Sequence, residues 1–522
     1  YFDALQVAGE SSAARQLSQL QEVVGDDPAI AIQQRERLDL RRQLNALAAR
    51  IVDGRNLGQA VDTLEAERAR VQAAFSEVEA DLAANSRLAQ VSDRPADLAA
   101  LQSKLKSGEG YVRLTVMNDR VFGIMVDRDN AYPIRPKLAA NDIIGLANAV
   151  RRSAEVGDDR VLPDFSVGTS TALYQALFAD IDGNLRARTE LVFDGGAVLA
   201  GLPAGLLVID RPAPAAKGKT KARARHDYSA VAFLAKQMPT SVAMSPRSFI
   251  ASREFAPSRA KQALIGFAAP QSIGQQPIGT GGKFRIGPCL IDATAVTAYS
   301  NLFSPIAADE IFIAGEALGL VGQPMLVSGA QFSDTEMVRR GATTNGFADY
   351  KVLHFATHGL TEGQFDCDGA PAALLTSFGG TSASDLLLSF DEIASLKLDA
   401  NLVVLSACDT ASRTGETTQI RAGEARPGST LDGLVRAFFA AGSRSVMATY
   451  WEAANNDATT LFMAEFYAAG REKTISQSLN AAQTTLIDIP ETSHPFFWGS
   501  FFVVGDTTNT ILGGAKMTVA AR

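Results

Sequence analysis

Between Ala263 and Val504 the chain alternates short, uniformly apolar runs with stretches of helical periodicity, and no other feature constrains the fold as much. Leu264–Phe267, Tyr350–Ala356, Asn401–Ala407 and Ser445–Thr449 are such runs, and Pro324–Val327 and Phe497–Val504 are two more. A strand apolar at every position has both faces covered. Strands separated by helices pair in parallel, because the crossover returns the chain to the same edge. Helices are predicted at 292–302, 308–319, Asp334–Arg340, Phe390–Ser395, Leu431–Ala441, Asp457–Ala469 and Ile475–Leu486, with a Gly-rich loop at 272–287. The expected class is α/β: a mainly parallel sheet sandwiched by helices, over residues 260–506.

The preceding chain has a different texture. Residues 1–106 are rich in Ala, Leu, Gln, Arg and Glu. Leu40, Leu44, Leu47 and Ile51, and then Leu57, Val61, Leu64, Val71, Phe75, Val78 and Leu82, recur in steps of three and four, Arg68 being the break. That spacing predicts an α-helical hairpin or coiled coil with a turn near Asp53-Gly54. Two uses stay open for it: an arm packed on its own protein, or a stalk that docks a partner. Residues 110–255 read as a β-rich accessory region. Tyr111–Val116, Val121–Val126 and Ala131–Ile134 form a predicted meander, with helices at Ile143–Val156 and Thr171–Ile181 and strands at Leu191–Phe193, Val198–Leu199 and Gly205–Ile209. The basic run KGKTKARARH at 217–226 is expected to be an exposed loop or a processing site. Residues 507–522 form a C-terminal tail.

Composition excludes some classes. A net charge of −8 argues against a general nucleic-acid binder. No apolar run reaches the ~18 residues of a membrane helix. Three cysteines, Cys289, Cys367 and Cys408, make no disulfide framework, and a cytoplasmic, reducing setting is expected. The first residue is Tyr1, so a fragment or processed form is expected.

In parallel sheets, sites form at the carboxyl ends of strands. Two predicted strand ends carry reactive side chains: His358-Gly359 after KVLHFAT, and Cys408 after LVVLSA. A thiol is mostly protonated at neutral pH and needs an imidazole nearby to become a nucleophile. The same imidazole can protonate a leaving amine. The N–H groups of Gly359 and Cys408 are candidates for an oxyanion hole. His354 and His358 also read HxxxH, a zinc spacing on a helix. On a strand the two would stand ~13 Å apart. A metal site is therefore not expected, and His354 reads as a buried, hydrogen-bonded support. Cys367, between two aspartates, is a poor thiolate.

The runs HFATHG, LSACDTA, GLVRAFFAAGSRSVMATYW and HPFFWGSFFVVGD resemble the CHAT family of caspase-like cysteine proteases, over roughly 110–506 and most densely over 345–506. The resemblance implies a caspase-like fold, a Cys–His dyad carried over to His358 and Cys408, no cofactor, and a protein substrate, and it leaves 110–255 open as either an accessory region or a degenerate, pseudo-caspase-like half. It also suggests TPR-type regulatory partners, for which the N-terminal helices are the candidate dock. Separase-like relatives carry a W-[DE] pattern whose acids receive a basic P1 residue. Trp451-Glu452 fits it, whereas Asn455 stands where an acid is often found. Glu452, Asp457 and Asp409 are thus candidate substrate-binding residues, with helix or loop capping open for Asp457 and Asp409 and plain solvent exposure for Glu452. Residues 411–430 read as a polar surface loop or a gate beside the nucleophile. The expected function is a cysteine endopeptidase acting through a thioester acyl-enzyme. The alternative is a catalytically silent, protease-like scaffold.

Overall fold

The computed structural model describes residues 1–9, single helical positions between 33 and 51, residues 60–84, 95–157, 161–210 except 197 and 200, 225–271, 283–286, 289–292, 306–360 except 344 and 345, 373–377, 386–406, 429–451 and 457–513. The strands are β1 (Glu109–Met117), β2 (Arg120–Val126), β3 (Ala131–Ile134), β4 (Glu190–Asp194), β5 (Thr240–Val242), β6 (Gln262–Ala268), β7 (Lys283–Ile286), β8 (Cys289–Asp292), β9 (Met325–Val327), β10 (Tyr350–Ala356), β11 (Gly359–Leu360), β12 (Ala373–Leu375), β13 (Leu387–Ser389), β14 (Leu402–Leu405), β15 (Ser445–Thr449) and β16 (Phe501–Gly505). The main helices are α1 (Phe2–Gly9), α2 (Asp62–Ala84), α3 (Ala140–Arg152), α4 (Val167–Phe178), α5 (Asp309–Ala317), α6 (Ser429–Ala441), α7 (Asp457–Ala469) and α8 (Ile475–Asp488).

Among the described residues, eleven strands form one sheet in the order β3-β2-β1-β4-β5-β16-β15-β14-β10-β6-β9. The β14, β10, β6 and β9 ladders are parallel, as uniform apolarity predicted. The β1–β3 meander lies at the far edge and pairs antiparallel. Val242 of β5 pairs with Val504 of β16 and joins the two groups of strands.

Alternation along β10 gives its two faces different jobs. Phe355 stacks on its register neighbour Phe267, centroids 4.4 Å apart, and packs on Phe438 of α6. On the opposite face His354 lies beside Gly266. A Cβ at Gly266 would collide with Ile311, so α5 sits close on this face because the residue has no side chain. Tyr467 of α7 covers His354 from the same side. The sheet is thus covered on both faces.

Near the N-terminus, α1 lays Phe2 and Leu5 into a cluster with Leu101, Tyr111, Ile124 and Val192. Of the predicted hairpin seam, Leu47, Ile51, Val71 and Val78 are buried and Leu40, Leu44, Leu64 and Phe75 half-buried; Leu57 and Leu82 lie outside the described residues or side chains, as does the turn at 53–54.

Some local expectations are corrected. Val198–Leu199 is a turn, not a strand, between Gly196 and Gly201, both with positive φ. Gly205–Ile209 is not a strand either: a 3-10 turn spans Ala204–Leu206 and only Val208 forms a bridge, to Phe233. The last strand begins at Phe501, because Pro495–Trp498 is a short helix capped by His494, whose Nδ1 accepts the Phe496 N–H at 3.1 Å. Within the predicted 272–287 loop, Lys283–Ile286 is a strand paired to β8, which holds Cys289 and Asp292. The rest of the predicted 292–302 helix and residues 217–224 lie outside the described residues. Among the described residues, no helix is long and apolar enough to cross a membrane.

Candidate active site

β10 and β14 lie side by side, with Leu353 opposite Val403, His354 opposite Val404 and Phe355 opposite Leu405. The pairing continues one residue further, where the Ser406 N–H donates to the Phe355 carbonyl at 2.9 Å. His358 therefore follows the paired Ala356–Ser406 level by two residues. Cys408 lies two residues beyond Ser406 in the chain and, like Asp409, outside the described residues.

The backbone at His358 is held firmly. Thr357 is fully buried and its Oγ1 donates to the Leu375 carbonyl at 2.6 Å. The Leu375 N–H donates in turn to the His358 carbonyl at 2.8 Å. In an antiparallel ladder, bonded and non-bonded residue pairs alternate. His358 and Leu375 supply the bonded level, so Gly359 and Leu374, opposite each other, form the non-bonded pair. The Gly359 N–H therefore points away from β12, off an edge that carries no further strand among the described residues.

β15 flanks β14, and its chain runs on through Tyr450 and Trp451. Tyr450 stacks on Phe502 at 4.1 Å, and its carbonyl accepts from Arg151 of α3 at 3.5 Å. Trp451 is buried, with no partner for its Nε1–H among the described residues. Glu452 and Asn455 lie outside the described residues. Asp457 is exposed as the first residue of α7, where a carboxylate suits the helix dipole.

His354 is fully buried. Its Nδ1 lies 2.9 Å from the Tyr467 hydroxyl and its Nε2 3.3 Å from Glu310 Oε2. Burial, reinforced by the Glu310 charge, pushes the Tyr467 phenol well above its usual range. His494 also has both nitrogens engaged: Nδ1 accepts the Phe496 N–H, Nε2 donates to the Pro163 carbonyl at 2.9 Å, and burial holds its pKa down at about 4. Sequence reasoning placed His354 as a support but missed Glu310 and Tyr467. They come from helices 44 and 113 residues away in the chain, and no local pattern marks them. Among the described residues, no group of three or more His, Cys, Asp or Glu is arranged to hold a metal.

Fold and rim together define an α/β protein whose mainly parallel sheet presents a His-Gly pair at a strand's carboxyl end. The chain belongs to the CHAT family, whose domain model matches residues 167–506. Two solved structures also align with it. The complex of the pro- and mature domains of RgpB from Porphyromonas gingivalis does so at 11% identity and a TM-score of 0.33, over 72% of this chain and 78% of that one. The Arg-specific cysteine proteinase gingipain R does so at 10% and 0.34, over 71% and 77%. No curated protein matches the chain.

Proposed function

We propose that the chain is a cysteine endopeptidase in which His358 and Cys408 form the catalytic dyad. One observation carries the reading: Phe355 and Leu405 face each other on adjacent parallel strands, and in the sequence each reactive residue comes three positions after its member of that pair. Parallel neighbours are ~4.8 Å apart. Three residues of chain span at most ~10 Å, so both residues are tethered to one short stretch of rim. The resemblance to CHAT-type caspase-like proteases supports the same pair.

The roles follow from chemistry. The His358 imidazole pairs with the Cys408 thiol and takes its proton. The thiolate attacks the scissile carbonyl and forms a tetrahedral oxyanion. The Gly359 N–H, directed off its ladder, donates to that oxyanion together with the Cys408 N–H. His358 then protonates the leaving amine, which departs and leaves a thioester. Water, deprotonated by His358, attacks the thioester; the acid product departs and the thiol is restored. Glu452, Asp457 and Asp409 are the proposed acceptors of a basic P1 side chain, through charge-assisted hydrogen bonds. A regulatory protein, of TPR type or another, docks on the N-terminal helices.

The test uses the full chain and host lysate. New N-termini are sequenced after treatment with wild-type, Cys408→Ala and His358→Ala proteins. Cleavages with Arg or Lys at P1 should appear with wild type, and both variants should lose at least ~10³ in rate while staying folded. Turnover retained by Cys408→Ala ends the reading. No cleavage and no thiol reactivity in wild type leaves the scaffold alternative.

A further inference from the structure

We propose that the buried chain Tyr467–His354–Glu310 is a positioning unit for His358, acting by seating α5 on the strand that carries the histidine. The proposal rests on the dyad reading above.

The Tyr467 hydroxyl keeps its proton, because full burial disfavours the phenolate. It lies 2.9 Å from His354 Nδ1 and donates there when the ring's proton faces Glu310. The Glu310 carboxylate, 3.3 Å from Nε2, can only accept, which assigns the ring proton to Nε2. Three polar side chains from β10, α5 and α7 thus satisfy one another under the sheet. Removing one member leaves a buried neighbour unpaired, which is costly.

The unit reaches His358 through a circuit of hydrogen bonds joined by short stretches of chain. Glu310 lies in the first turn of α5. Just before that helix, the Ile306 carbonyl accepts the Ala269 N–H at 2.8 Å, at the end of β6. Ala269 has φ +47, a conformation a non-glycine residue keeps only when its surroundings enforce it. Its carbonyl accepts the Gly329 N–H at 3.0 Å. The Gly329 carbonyl accepts from Ser377 Oγ at 2.5 Å, and that oxygen accepts the Gln271 N–H at 2.8 Å. Ser377 lies two residues past Leu375, whose N–H grips the His358 carbonyl. The circuit starts on β10 at His354 and returns to the same chain at His358. Under the start of α5, Ile311 packs in a small cluster with Ala268 and Ala356, and one turn further on Ala314 joins the main core. The polar contact from Glu310 to His354 adds a directional tie at the first turn of the helix, next to Ile311.

The test reads the reactivity of Cys408 in the full chain with iodoacetamide, by mass spectrometry of its peptide, as a function of pH. An imidazole in place lets the thiolate form below its ordinary pKa of ~8.5. Wild type should therefore alkylate well at pH 6, and His358→Ala should lose that reactivity. Glu310→Leu and Tyr467→Phe should each lose about tenfold at pH 6 and move the half-maximal pH toward that of His358→Ala, while cooperative unfolding is retained. Glu310→Gln keeps an oxygen acceptor for the Nε2–H and should stay within about threefold of wild type. Two results overturn the proposal: unchanged pH profiles in Glu310→Leu and Tyr467→Phe, or a Glu310→Gln loss as large as that of Glu310→Leu. If Glu310→Leu does not fold, Tyr467→Phe, which removes one oxygen, decides. A wild type no more reactive at pH 6 than His358→Ala overturns the dyad reading itself. A His358-dependent profile that ignores Glu310 and Tyr467 overturns this inference alone.

Discussion

Single residues carry most of the chemistry that can be tested directly. Glu190, at the start of β4, is largely buried, and burial pushes its carboxyl up to about 7. A hydrogen bond with Ser476 and the charge of Arg253 oppose the rise, while Glu109 and Asp506 add to it. Arg253 is already engaged, 2.6 Å from Glu109 and 3.5 Å from Asp506. The folded chain therefore holds a proton that the unfolded chain releases near its ordinary pKa of 4.5. Stability falls as pH rises from about 4.5 to about 7, and the loss is complete above that. The gap corresponds to about 3 kcal/mol as an upper bound. Glu190→Gln should remove this dependence. It should be worth about 2 kcal/mol at pH 8 relative to its effect at pH 4.5, read by urea unfolding at both pH values. A wild-type-to-variant difference that does not vary with pH would contradict the argument. At this same scale His358-Gly359 was legible from the sequence, because a histidine and a glycine after an apolar run mark a strand end. Glu310, Tyr467 and Arg253 were not, since each acts on a group far away in the chain.

Elements follow local pattern where one pattern dominates. The β1–β3 meander, β6, β10, β15 and the helix at Phe390–Ser395 stand where apolar runs and turn residues put them. The Phe390–Ser395 helix also has a capping box, Ser389 with Glu392, which closes its first turn. The failures lie where apolar residues are interrupted by Gly or Pro. Residues 198–209 carry the right hydrophobicity for strands, but Gly201 and Pro203 impose turns. Packing between elements brings its own constraint at Gly266, where Ile311 occupies the space of a side chain. Gly266→Val should overpack this contact and cost about 2 kcal/mol or more, read as a lower urea midpoint with an unchanged slope. A neutral substitution would show that α5 is free to shift.

At the scale of the whole molecule, the sheet and its core cross the junction near residue 255. β5 and β16 pair through Val242 and Val504. Phe233 packs edge-on against Trp498 at 4.9 Å, within one cluster that also holds Tyr174, Phe178, Phe355 and Phe438. Buried apolar area of this kind stabilises by about 25 cal/mol per Å². A fragment of residues 260–506 alone should therefore show no cooperative thermal transition and should aggregate. Co-expression with residues 1–255 should restore a soluble complex if the core re-forms. A cooperative transition in the isolated fragment would show that the later strands need no partner half.

Local periodicity determined the class of fold, because a run of apolar residues must be covered on both faces and a helix between two such runs returns the chain in parallel. It also placed His358-Gly359 at a strand end. Tertiary structure alone decided which strands are neighbours, which helix covers which face, and how Glu310 and Tyr467 meet His354. Those choices are made by shape and hydrogen bonding between segments tens to hundreds of residues apart, and a one-dimensional pattern holds no term for them.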